Sequence, residues 1–177
     1  MLAVAAFAIQ AAENSVPASA DALLQAGLFY GFMGVDIRSQ IIECFIPDQQ
    51  LADDSDAFIA AVKAKDFATV KSIVTKDSQR AQDDAAPCMN DPKYQAVADA
   101  YNYQIAVAEK AKNDPDWQLK VLKCVKPHLA EIKQLTNDAL DQWALGTDEG
   151  YYQAGVKLGT VDKYALCAWE NSAAFLQ

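Results

Sequence analysis

Apolar residues recur along this chain at intervals of three and four, and almost never alternate, which is the spacing of helices rather than strands. The most apolar stretch, 22–35, reads ALLQAGLFYGFMGV; it is too short to cross a bilayer and long enough for a buried helix. Asp36 can cap a short helix through Ile41 and Cys44 that Pro47 ends. From Asp48, the residues Leu51, Phe58, Ile59 and Val62 share one helical stripe. Lys63 to Asp66 reads as a turn with Asp66 as N-cap, and the helix after it is expected to carry Phe67, Val70, Ile73 and Val74 inward.

Two Asp-Pro pairs, Asp91-Pro92 and Asp114-Pro115, each place a capping carboxylate before the proline that suits a first helical turn. Between them Tyr94, Val97, Tyr101, Ile105 and Ala108 keep helical spacing, and Trp117, Val121 and Cys124 continue it beyond the second pair. Leu129, Ile132, Leu135, Ala139, Leu140 and Trp143 form the clearest amphipathic stripe, with Gly146 suited to the position past its end. Thr147 or Asp148 caps a helix through Gly159, and a last one is expected over about 161–175. The pattern predicts an all-α fold, seven or eight helices in a compact bundle, with no hairpin signal anywhere.

Two local motifs occur twice. Cys44-Phe45-Ile46-Pro47 is answered by Cys124-Val125-Lys126-Pro127, and one further cysteine, Cys88 or Cys167, follows each at nearly the same interval. Gln25-Ala26-Gly27 with Gly31 is answered by Gln153-Ala154-Gly155 with Gly159. The chain therefore reads as one helical domain over 21–177 made of two related half-repeats, about 21–90 and 91–177. Glycine inside a helix costs roughly 1 kcal/mol against alanine. Two Gly-x-x-x-Gly faces therefore imply that another backbone comes close, as helix packing within the chain or as an interaction face.

Four cysteines can pair in three ways, and the equal intervals favour Cys44–Cys88 and Cys124–Cys167. A zinc site would want ligand pairs two to four residues apart, and redox catalysis would want Cys-x-x-Cys; neither spacing is present. Disulfides imply an oxidising compartment. The first residues agree with that. An unbroken apolar run, Met1 to Ile9, precedes Ala18-Ser19-Ala20, so 1–20 reads as a secretory signal without its basic start. Asp21 would then open the mature chain, with cleavage after Ala11 as the competing site.

Composition narrows the partners. The formal net charge of −9 argues against nucleic acid, which needs a basic patch, and disfavours anionic membranes. No P-loop, dinucleotide fingerprint, nucleophile elbow or N-glycosylation sequon occurs. The single histidine, His128, has only Cys124 near it in sequence, and Asp53-Asp54-Ser55-Asp56 lacks the glycine and distal glutamate of a calcium loop. We assign no catalytic, cofactor or metal residues. Trp117, Trp143 and Trp169 all fall in the second half, as core residues or as the lining of an apolar cavity. The sequence thus points to a secreted, non-enzymatic structural or protein-interaction component that binds a partner or itself. The alternative is an extracellular carrier of a lipid-like or other apolar small ligand.

Overall fold

A computed structural model describes residues 16–168. They form α1 (Ser19–Met33), α2 (Arg38–Cys44), α3 (Gln49–Ala64), α4 (Phe67–Asp84), α5 (Ala86–Asn90), α6 (Gln95–Asn113), α7 (Trp117–Val125), α8 (Leu129–Ala144) and α9 (Asp148–Ala165). Single 3-10 turns follow at Pro92–Tyr94, Lys126–His128 and Leu166–Ala168, and no strand occurs among the described residues. The architecture is all-α.

The helix starts follow from side-chain capping. Asp48 accepts from the backbone N–H groups of Gln50 and Leu51 at the start of α3, and Asp66 from that of Thr69 at the start of α4. Thr147 Oγ1 accepts from Gly150 N–H at 3.1 Å to open α9. Gly34 ends α1 at φ 72°, and its N–H returns to the Tyr30 carbonyl at 2.8 Å. Asp91 caps a 3-10 turn before α6 rather than the helix itself. One boundary differs more. α9 runs through Gly159 to Ala165 without a break, because Gly159 lies inside a helix crossing.

The core is organised on the crossing of α1 and α9, the first and last helices described. A Cβ added at Gly27 would lie 2.1 Å from the Tyr152 carbonyl oxygen, and one at Gly31 would lie 2.1 Å from that of Val156. In return, Cβ atoms at Gly155 and Gly159 would lie 2.2 and 2.1 Å from the Leu24 and Leu28 carbonyls. The four glycines therefore face one another within a single chain, and the two backbones touch. Around this crossing Phe29 meets Tyr101 edge to face at 4.8 Å, and Trp143 meets Tyr151 in the same way. Ile37, Ile41 and Val97 are fully buried beside them. Burying side chains of this size stabilises by about 1.5–3 kcal/mol each.

Two disulfides bracket the rest. Cys44 pairs with Cys88 across 44 positions, and Cys124 with Cys167 across 43, with Cα separations of 5.0 and 5.7 Å. Each bracket holds the same series: a proline turn, a helix of 16 residues, and a helix of 18 residues. Their packing differs. α9 buries Tyr151, Tyr152, Ala154 and two glycines, whereas no apolar residue of α4 is fully buried. Phe67 and Val74, expected inward, point into solvent at 74% and 53% exposure. The inward positions of α4 are Asp77 and Asp84, which lie about 80° around the helix from Phe67 and Val74 at 100° per residue. Leu129, expected on the buried stripe of α8, is exposed as well.

Candidate functional site

His128 is the one histidine of the chain, on which any Ser-His or Cys-His chemistry would depend. It stacks on Tyr164 with ring centroids 4.6 Å apart, and its Nδ1 lies 3.8 Å from Glu131. The sulfur nearest in sequence, Cys124, is held in its disulfide. Among the described residues no group of three or more His, Cys, Asp or Glu side chains could hold a metal ion. Asp53 to Asp56 lie inside α3, and Thr147 serves as a helix cap.

Three features remain that could bind or respond to something. The first is a set of buried carboxylates. Asp21, the expected first residue of a mature chain, lies in the first turn of α1 at 1% exposure. It accepts a hydrogen bond from Ser55 Oγ at 2.9 Å. Burial pushes its pKa up to about 7, helped by Asp84 and Asp77, while hydrogen bonds from Ser55 and Gln25 pull the other way. Burial also raises Asp77 and Asp84 above the usual carboxylate range, aided by Asp54 and Asp48 respectively. Tyr101, 2% exposed, is raised for the same reason and feels both Asp21 and Asp84. α4 therefore contributes carboxyls to the interior where an ordinary amphipathic helix would contribute leucines.

The second is a cavity of about 240 Å³ between α1, α6, α7 and α9. Leu28, Phe29, Phe32, Val107, Trp117 and Leu166 line it, and Gln25, Gln104 and Asp162 bring polar atoms to it. Trp117 thus takes the cavity-lining role and Trp143 the core role; Trp169 lies outside the described residues.

The third is an open groove of about 1080 Å³ between α8 and the α3–α4 corner. Ile59, Leu140 and Trp143 form its floor, and Phe67 stands at its edge. Trp143 Nε1 donates to Asp56 Oδ1 at 2.9 Å, which ties the two walls together. Lys63, Lys65 and Lys133 border it, and among the described residues none of the three is in an ion pair. Arg38, Lys76, Arg80, Lys93 and Lys120, by contrast, are each matched to a carboxylate. Lys65 adopts φ 59°, where a glycine would ordinarily end the helix.

The doubled glycines, the strongest interaction signal in the sequence, are occupied by the α1–α9 crossing. Sequence reasoning missed Gly150, where a Cβ would meet the Gln142 carbonyl at 2.5 Å, and the burial of Asp21. It also missed the groove, whose only advance sign was a run of lysines, Lys63 and Lys65, in an acidic chain. No family model, curated protein or solved structure matches this chain. Among the described residues no helix is long and apolar enough to cross a membrane.

Proposed function

We propose that this is a secreted, non-enzymatic helical protein that works by presenting a surface to a protein partner. The observation that supports this reading best is α4. It is an 18-residue helix whose apolar side chains Phe67 and Val74 face solvent although the chain has a well-formed core elsewhere. Exposed Leu119 and Leu122 on α7 add a second such face. Large apolar side chains left on exposed helix faces are where a partner would bury them. Secretion is supported by the apolar run at Met1 to Ile9 and by the two disulfides. Processing after Ala11 suits the structure better than processing after Ala20. The latter would cut inside α1 and remove the Val16 carbonyl, which accepts from Gln49 Nε2 at 2.7 Å.

Self-association through the glycine faces is not part of the proposal, because those faces are filled from within. The matched series inside the two disulfide brackets supports the related-halves reading. Chemical cross-linking of the native secretion, followed by mass analysis, tests the function. A cross-linked partner mapping to α4 or α7 is expected; a chain recovered alone at every cross-linker concentration would end the proposal.

The cavity supports a second reading, a carrier of an apolar ligand. Its volume decides the class. An apolar cavity of about 150 Å³ accepts benzene, so about 240 Å³ suits a molecule of one or two rings rather than a long acyl chain. Native mass spectrometry that shows no adduct after incubation with indole or naphthalene would remove it.

A further inference from the structure

We propose that the lysine-bordered groove between α8 and the α3–α4 corner is the docking site for an acidic amphipathic helix of a partner protein. The inference rests on the interaction reading above and names the chemistry of the partner.

Shape gives the first argument. The groove holds about 1080 Å³ and is open along one side, with Phe67 at its edge 74% exposed. Small-molecule sites bury most of their ligand. A single alkyl chain laid here would remain largely in water. An α-helix about 10–12 Å wide can instead lay its apolar face on Phe67 and Leu140, above the buried Ile59 and Trp143, and keep its polar face outside.

Charge gives the second. In a chain of formal net charge −9, three lysines without ion-pair partners among the described residues converge on one groove. Two carboxylates also lie there. Asp56, which accepts from the Trp143 indole, and Asp141 offset two of the three positive charges, so the groove keeps a formal excess of one. The groove is therefore net cationic in a chain that is net anionic, and it favours an occupant whose flanks carry carboxylates. A second copy of this chain fits poorly through its other apolar face. Leu119 and Leu122 of α7 lie near Lys123 and Lys126, which would meet the lysine rim with like charge.

Backbone conformation marks the rim again. Lys65 holds a left-handed φ of 59° at the end of α3, a position that favours glycine. Lysine at that position places a charge beside the groove at a conformational cost.

The test uses the full chain and two fluorescein-labelled peptides of about 15 residues, each with leucines at helical spacing. One carries glutamate at its polar positions and the other lysine. Fluorescence anisotropy should show the glutamate peptide binding about tenfold or more tightly than the lysine peptide, a gap that narrows as salt rises. The double reversal Lys63→Glu with Lys133→Glu should invert the preference. Lys65→Gly is the most discriminating variant. It should weaken the glutamate peptide about threefold while leaving Tm unchanged or raised by up to about 3 °C.

Equal affinity for both peptides, no saturable binding of the glutamate peptide, or indifference to the lysine reversals would overturn the inference. So would a fluorescent sixteen-carbon carboxylate that binds where the glutamate peptide does not. Failure of this inference is separable from failure of the interaction reading. A cross-linked native partner that leaves Lys63, Lys65 and Lys133 as open to acetylation as in the free chain removes the groove alone. A chain with no partner at all removes both.

Discussion

The two disulfide brackets enclose the same series of elements and use it in opposite ways. In the second bracket, α8 and α9 close on each other and α9 closes on α1, so that glycines, tyrosines and Trp143 fill the interior. In the first, α3 is anchored by Leu51, Ala52 and Ile59, but α4 offers the interior two aspartates and offers water a phenylalanine and a valine. Covalent bracketing and helix length therefore do not decide whether a hairpin becomes core or surface. That choice lies in which face of the second helix is turned inward. A helix held by a disulfide can leave its apolar stripe outside because the cross-link supplies stability that its own packing does not.

The comparison can be broken most decisively at the crossing. Gly155→Leu or Gly27→Leu drives a side chain into backbone atoms, and either should abolish cooperative thermal unfolding by circular dichroism, a loss above about 4 kcal/mol. A folded Gly155→Leu protein would mean that α9 is no more committed to the interior than α4. The disulfides come next. By loop entropy each contributes about 4 kcal/mol, so Cys44→Ser with Cys88→Ser should lower stability by about that amount. The two bonds should also differ in access. Cys88 is fully buried, whereas Cys167 is exposed. Graded reduction with alkylation and mass analysis should therefore open Cys124–Cys167 first; the reverse order would contradict the burial of the first bracket.

The buried aspartates set a pH dependence of comparable size. The folded-state pKa of Asp21, about 7, lies above its ordinary 3.8. The unfolded chain therefore loses this proton at lower pH than the folded one. Stability from this group is full below about pH 4, falls as pH rises, and is exhausted above about pH 7, a change of about 3–4 kcal/mol. Urea midpoints measured from pH 4 to pH 8 should decline accordingly, against the trend set by the paired carboxylates at the surface. Asp21→Asn should flatten the decline while keeping an acceptor for Ser55. A wild-type profile rising monotonically to pH 8 would show that Asp21 is not held protonated. The smallest effect is the most informative about α4. Phe67→Ser should change stability by less than about 0.5 kcal/mol, because the ring is exposed; a loss above about 2 kcal/mol would place it in a core.

Much of this was legible in the residues. The caps at Asp66 and Thr147, the turn at Gly146 and the glycine crossing all arise from local chemistry or from a repeated motif. The cysteine pairing followed from the equal intervals. The facing of α4 did not. Its stripe of Phe67, Val70, Ile73 and Val74 is a sound amphipathic pattern, and only the position of α3 and the buried Asp77 and Asp84 reveals that Phe67 and Val74 point outward. The burial of Asp21 was not legible, because nothing in the sequence announces that Ser55 will sit beside it. The groove was invisible for the same reason, since its walls come from segments far apart along the chain.

The α1–α9 crossing also sets a timetable. During synthesis α1 is among the first helices to emerge, and the helix that covers its glycine face is the last described. At roughly 5–20 residues per second, α1 waits on the order of ten seconds for that cover. Through that interval its apolar side chains stand open to any passing surface, and the long loop it must close makes the final docking slow. A nascent chain halted before Gly155 should therefore be the form that binds chaperones most strongly.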